Sequence, residues 1–515
     1  MRSSQSSVER LPAALVAFAL LPGVALAAYY DITAFRTAGA LGFPLDDSWI
    51  HAQFARNLAT GEGFTYTGTR WVSGSTAPLW TVLLAILYAI TRDVIVAASA
   101  LGLCFQLVAG LYAIRLARVL EAPPLAACLA GTLTVMLPIV VWGAVSGMEV
   151  TLACALVMAG LYYVTAEADG SVSVRGYVLL GAAALARPEA LAIGLLVAVF
   201  EVAHAGPFSQ RMRRVATAAG LVALLFAPIV VFSALTIGRP LPTTFYAKSG
   251  PGIIRAIETR DAAMARRNFD THGPLATRNF ALTLREQFGL VGWLAPVGVF
   301  ACVASPRRRR TGLLLLALLT LVPFVMGMTA PQRLKPENVR YVAQLVAPVS
   351  VLIIVGLTFL LRHRHVLTAA CVAAVLVTGA QSVAAAETFA VSVRNINELH
   401  VRAGRWMHDT LPAGARVALN DVGAMTYFSG LAVLDLEGLV SPEVLPYRSS
   451  PDRALQAVLA ERPDFLVIFP HWYPDLVARN DLFQEIHRFH IEQNYISAGD
   501  TLIVYRTPWT SSQQP

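Results

Sequence analysis

The chain has 515 residues, of which 56% are hydrophobic and only 14% charged, too few charges to clothe an ordinary water-facing surface. A mean hydropathy of +0.59 excludes a soluble globular protein and points to a polytopic membrane protein. The net charge of +8 does not signal nucleic acid, because the basic residues fall in short clusters between apolar runs, a pattern of topology.

Residues 11–30 form the first apolar run, behind Arg2 and Arg10. Ala25-Leu26-Ala27 would suit a signal peptidase, but a chain embedded along most of its length favours an uncleaved first helix. Residue 31 then opens an outer loop, 31–93, carrying Asp46-Asp47-Ser48-Trp49-Ile50-His51. Ile50, Phe54 and Leu58 recur every four residues, which predicts a short helix with one apolar stripe lying along the membrane surface, capped by Asp46 or Asp47. In a soluble protein one of these acids would be a cap and the other a solvated neighbour. At a membrane face the pair becomes a candidate site.

The run Leu79 to Ile90 is short of the ~20 residues that cross a bilayer and reads as a second juxtamembrane helix. Val94 to Ile114 is long enough, and Arg115 and Arg118 place its end in the cytoplasm. Further spans are expected at 124–142, 148–166, 215–236, 287–304, 312–329, 341–361 and 366–388, with a pair of short helices around 177–203. The total is about 11 transmembrane helices plus juxtamembrane helices. Alternating them puts Arg211 to Arg214, Arg307 to Arg310 and Arg362 to His365 all inside, three basic clusters in agreement. The outer loop 238–286 carries arginines that strain the rule, offset by its length and its acids. Five cysteines (Cys104, Cys128, Cys154, Cys302 and Cys371) lie in or beside the spans, implying neither a disulfide framework nor a CxxC metal site.

Beyond residue 388 the composition changes. Asn395 to Asp409 reads as a helix, followed by strand-like runs at 416–419, 431–434, 465–469 and 502–505, with a helix over 452–460. The division is therefore a transmembrane module, 1–388, and an extracytoplasmic α/β domain, 389–515.

The topology collects Asp46, Asp47, His51, Glu149, Arg187, Glu189, Tyr246, Lys248, Arg340 and Tyr341 on the outer face. Cations there suit a phosphate, and a carboxylate suits a proton taken from an attacking hydroxyl, so the substrate would be a phosphate-bearing lipid. Two adjacent carboxylates raise one another's pKa toward that of a useful base, whereas a helix N-terminus opposes the rise. One of them holding a divalent cation is the alternative. Arg187-Pro188-Glu189 lies between two half-length apolar runs, where a hairpin would lower Arg187 toward the site; a kink with a local ion pair is equally compatible. Lys248 is either a phosphate contact or a snorkelling lysine. Glu149 opens a span, as a helix N-terminal acid or a site residue. His471-Trp472-Tyr473 reads as a packed aromatic corner or a sugar platform.

The ordered set Asp46-Asp47-Ser48-Trp49-Ile50, Gly61-Glu62-Gly63-Phe64, Ser146-Gly147-Met148-Glu149, Ala186-Arg187-Pro188-Glu189, Pro242 to Lys248 and Asp421-Val422-Gly423-Ala424 resembles the GT-C superfamily of membrane glycosyltransferases, and within it the arabinofuranosyltransferases of mycobacterial cell-wall type. The resemblance runs from about residue 40 to 440. It implies a sugar donor on a polyprenyl phosphate and a glycan, lipid or protein acceptor at the outer face of a bacterial cytoplasmic membrane. It also implies Asp46 or Asp47 as catalytic base, with Lys248, Arg187 and Arg340 on the donor phosphate. Thr243-Thr244 departs from the Pro-Asn-Thr-like run expected there. A transporter or flippase of a lipid-linked substrate is the rival from another class. It predicts ionisable residues near the bilayer midplane and a repeat between halves, and the sequence has neither.

Overall fold

Proline, glycine and one acidic cap decide where the apolar runs break into helices. The computed structural model describes residues 11–68, 70–167, 171–248, 250, 252–331 and 336–510. In chain order, α1 (Ala13–Ala38) stops at Gly39, whose φ of 70° is left-handed; α2 (Asp46–Ala59) and α3 (Pro78–Thr91) follow. α4 (Val94–Val119) starts from Asp93, whose carboxylate accepts the Ile95 and Val96 amides. The expected span 124–142 is instead two helices, α5 (Pro124–Val135) and α6 (Pro138–Val145), bent by 56°. The cause is Pro138, which lacks an N–H to continue the ladder and clashes with the preceding turn.

The bundle continues with α7 (Val150–Ala166), α8 (Val174–Ala186), α9 (Ala190–Val199) and α10 (Phe208–Ile237). The outer loop after α10 is itself helical: α11 (Thr243–Lys248), α12 (Ile253–Glu258), α13 (Ala262–Arg267) and α14 (Gly273–Phe288). Then come α15 (Ala295–Ala304), α16 (Arg309–Thr329), α17 (Ala343–Leu360) and α18 (Arg364–Ile396). Among the described residues seven helices are long and apolar enough to cross a membrane, or eight if the bent α5–α6 pair is one span. The difference from the expected eleven lies in α7, α8 and α9, which are apolar but only 17, 13 and 10 residues long.

The bundle closes on α17, buried over 83% of its apolar window against 22–44% for the other long apolar helices. Small residues permit that approach: a Cβ on Gly298 of α15 would meet the Leu352 carbonyl of α17 at 1.9 Å. At one end Arg308 donates to the Leu120 carbonyl and Arg310 to His204, so the basic clusters gather there. The C-terminal domain lies at the other end.

No break marks that domain's start. α18 runs through a single wide turn (Asn397–Val401) into α19 (Arg402–Thr410), so the helix expected over 395–409 is the continuation of the last span. The sheet comprises β1 (Arg416–Leu419), β2 (Ala432–Asp435), β3 (Phe465–Ile468), β4 (Gln484–His490) and β5 (Thr501–Arg506), in the order β2-β1-β3-β5-β4. β1 runs parallel to β2 and β3, whereas β5 is antiparallel to β3 and β4. The sequence analysis does not predict β4, an edge strand of mostly polar residues. α20 (Gly423–Ser429) crosses from β1 to β2, and α21 (Arg453–Glu461) precedes β3. Asn420 and Asp421 thus sit just beyond the carboxyl end of β1, where parallel sheets place their binding loops.

Candidate active site

Successive residues of a helix point about 100° apart, and that angle separates the two acids at the start of α2. The helix does not lie on the membrane surface with one stripe down: Ser48 to Ala55 and Asn57 are all buried, packed between α3 and α20. Nor does either acid cap it; Leu45 occupies that position and makes no side-chain bond.

Asp46 caps a different helix. Its carboxylate accepts the amides of Gly423 at 2.6 Å and Ala424 at 2.8 Å, at the N-terminus of α20, where the helix dipole favours an anion. Only glycine fits, since a Cβ on Gly423 would fall 2.0 Å from the Asp46 carbonyl oxygen. Burial pushes the Asp46 carboxyl up to about 6; His400 opposes that rise, nearby Asp421 adds to it, and the two amides oppose it. His400 Nε2 lies 3.0 Å from Asp421. This group ties α2 to the C-terminal domain.

Asp47 faces the bundle. Arg340 donates to its Oδ2 at 2.8 Å, and Lys248 Nζ lies 3.6 Å from Oδ1. One turn on, His51 Nε2 is 3.3 Å from Glu149, which also accepts from Arg187 at 2.7 Å; Glu189 lies 3.5 Å from Arg187. Glu149 thus links Arg187 and His51 through direct contacts with both. The Tyr341 ring sits between two guanidiniums, 5.1 Å from Arg187 and 5.2 Å from Arg340.

Asp47, His51, Glu149, Arg187, Glu189, Lys248, Arg340 and Tyr341 line one cavity of about 150 Å³, with apolar walls from Phe226, Leu241 and Met326. Of the residues expected at the site, Tyr246 is not brought in. Its ring lies 4.9 Å from the Arg239 guanidinium and faces a separate recess. The departing run Thr243-Thr244 opens α11 as buried residues, and Thr244 lines the cavity.

A second cavity, of about 740 Å³, separates the bundle from the C-terminal domain. It reaches Asp46, His400, Asp421, Trp472 and Tyr495, and shares Asp47, Ile50, Arg340 and Leu439 with the first. The aromatic triplet splits here: Trp472 is 46% exposed at the cavity, whereas Tyr473 is buried with its hydroxyl on Glu437. His400 and Asn420 escape the sequence analysis, because a histidine in a long helix and an asparagine after a strand carry no pattern of their own.

A divalent cation does not fit these side chains. Among the described residues no group of three His, Cys, Asp or Glu side chains is arranged to hold a metal ion, Asp46 gives its oxygens to amides, and Asp47 gives its oxygens to two cations.

A family model described as a domain of unknown function (DUF8728) matches residues 394–512, and no curated protein matches the chain. Among solved structures, the archaeal oligosaccharyltransferase AglB of Archaeoglobus fulgidus, in complex with an inhibitory peptide and a dolichol-phosphate, superposes with a TM-score of 0.59 at 11% identity, over 98% of this chain and 74% of that one. ArnT from Cupriavidus metallidurans, bound to undecaprenyl phosphate, gives 0.55 at 12% identity, over 94% and 97%. The arabinofuranosyltransferase AftD from Mycobacteria gives 0.50 at 14%, over 94% of this chain and 41% of AftD. The chain has the GT-C fold of these membrane glycosyltransferases, an all-helical membrane module followed by a small sheet domain.

Proposed function

We propose that this protein is a membrane glycosyltransferase that moves a sugar from a polyprenyl-phosphate donor to a glycan, lipid or protein acceptor, on the outer face of a bacterial cytoplasmic membrane. The observation that carries the reading is the position of Asp47, in the shared wall of two cavities and within ion-pair reach of Arg340 and Lys248. The smaller cavity, mostly apolar with cations at its polar end, suits a prenyl phosphate whose tail lies among the helices and whose headgroup meets Arg340 and Lys248. The larger cavity, bordered by Trp472 and Tyr495, suits a sugar-bearing acceptor, since apolar sugar faces stack on aromatic rings.

The reaction follows from that placement. The acceptor hydroxyl oxygen bonds to the anomeric carbon as the bond from that carbon to phosphate oxygen breaks. The hydroxyl proton passes to Asp47, and the polyprenyl phosphate leaves with the bonding electron pair, its charge met by Arg340 and Lys248. Arg187, ion-paired with Glu149 and Glu189, orders the wall of the cavity beside Asp47 without being consumed. A carrier lipid also answers a supply problem, because a lipid-held sugar reaches an outer-face site laterally, and a soluble nucleotide sugar does not.

The sugar we assign first is a pentofuranose of arabinofuranose type, on the ordered motifs from 46 to 424 and the fold shared with AftD. The test uses the purified protein in nanodiscs. Undecaprenyl phosphate should bind saturably, and Arg340→Gln should weaken it at least tenfold. Absence of saturable binding, or binding indifferent to Arg340→Gln, overturns the assignment. Glycan mass analysis of the cell envelope after deletion of the gene identifies the sugar.

A further inference from the structure

A third cavity, of about 310 Å³, opens beside the first and is unused by the reaction above. It lies between the segment after α10 and the loop following β2, and Phe245 is a wall common to it and the smaller cavity. Its charged lining is Arg239, Arg255, Arg448 and one acid, Glu258. Three guanidiniums from three separate segments, with one carboxylate among them, give this recess a net positive lining of two charges.

Such convergence is costly between like charges and is useful when an anion enters. The packing holds part of it in place. Arg239 lies over the Tyr246 ring at 4.9 Å, a contact that orients the guanidinium and spends none of its N–H donors on an acceptor. Arg448 is braced through a 3.0 Å bond to the Glu437 carbonyl. Guanidinium forks match the paired oxygens of phosphate and carboxylate and do so better than ammonium groups.

We propose that this recess binds an oxyanion, phosphate or carboxylate, carried by the acceptor substrate. The proposal rests on the transferase reading, because only an acceptor reaching Asp47 brings its anionic group to a recess one aromatic wall away from the donor phosphate. It makes the acceptor an acidic glycan or a phosphorylated lipid, and sets neutral glycans aside.

The test is calorimetric titration of the full-length protein in nanodiscs with inorganic pyrophosphate and, separately, with glucuronate. At least one probe should bind saturably, and Arg239→Gln/Arg255→Gln should weaken it at least tenfold while Arg340→Gln leaves it unchanged. Preference for pyrophosphate assigns a phosphate source; preference for glucuronate assigns a carboxylate. Undecaprenyl phosphate binding should survive in Arg239→Gln/Arg255→Gln, which also shows that this variant is folded. Should neither probe show a site sensitive to that double substitution, the proposal is wrong. Should the probes bind as expected while undecaprenyl phosphate does not, the oxyanion site stands and the transferase reading fails.

Discussion

The two acids of α2 are one residue apart and chemically distinct, so replacing each in turn separates catalysis from assembly. Asp47→Asn removes the proton acceptor at the shared wall, and a positioned general base is worth roughly 10²–10⁴ in rate, or about 3–5 kcal/mol of barrier. Asp46→Asn leaves Asp47 untouched. There the asparagine oxygen still accepts one of the amides that now lie at 2.6 and 2.8 Å, while its NH₂ meets the other. The lost bond is worth about 1–3 kcal/mol. Against that, burial already disfavours the ionised Asp46, whose carboxyl is pushed up to about 6, so discharging it offsets much of the loss. We expect Asp47→Asn to lose at least a hundredfold in kcat while remaining folded, with at most a modest fall in Tm from its lost ion pairs, and Asp46→Asn to stay within about tenfold of wild type. The assay follows transfer from a radiolabelled polyprenyl-phosphate sugar in proteoliposomes, alongside thermal unfolding. Near-normal turnover by Asp47→Asn, or a hundredfold loss confined to Asp46→Asn, would show that the wrong acid has been assigned.

Asp46→Ala strands both α20 amides without an acceptor, and the expected result is a clear drop in Tm beyond that of Asp46→Asn. Gly423→Ala drives a Cβ into the Asp46 carbonyl oxygen and should separate α2 from the C-terminal domain, read as new protease sensitivity between 389 and 423. The pH dependence of stability carries a sign. Because the folded Asp46 carboxyl titrates near 6, above its usual 3.8, the native state holds its proton more tightly; stability is full below about pH 4 and falls as pH rises through 6. Wild-type Tm should therefore carry a decline across that window that Asp46→Asn lacks. Glu149→Gln leaves buried Arg187 with only its longer 3.5 Å contact to Glu189 and should lower stability by up to about 3–5 kcal/mol, read by denaturant unfolding.

Sequence patterns convey most of the apolar helices well, and convey poorly what the third dimension decides. Apolar runs and basic clusters locate most of the long helices because bilayer burial is written in composition, but the helix that starts near 262 lies inside the stretch read as an outer loop. Pro138 is visible in the string and breaks the run into two helices, but the 56° angle between them is not. Adjacent acids look alike in a string; the roughly 100° between them on a helix gives one to α20 and the other to Arg340. Glu149 and Arg187, 38 positions apart, form an ion pair that local reading does not reach; it finds only the longer pair of Arg187 with its neighbour Glu189. β4 is missed because an edge strand with one face in water has little apolar alternation to display.

The ion pairs of Asp47 have a consequence for the order of events. Arg340 at 2.8 Å and Lys248 at 3.6 Å are shared between this carboxylate and any phosphate entering the smaller cavity, so the two anions compete for the same cations. A phosphate brings more charge and more acceptor oxygens than a carboxylate, and it wins that competition. Donor binding then draws Arg340 and Lys248 away from Asp47, and does so when a leaving group is in place. The competition predicts an opposite pair of effects from one substitution: Asp47→Asn should abolish transfer and at the same time tighten undecaprenyl phosphate binding severalfold, since Arg340 and Lys248 no longer have a carboxylate to leave. Titration of the nanodisc-embedded variant measures this directly. If Asp47→Asn binds the lipid phosphate more weakly than wild type, Asp47 is supporting the donor rather than competing with it, and the cation exchange between the two anions does not occur.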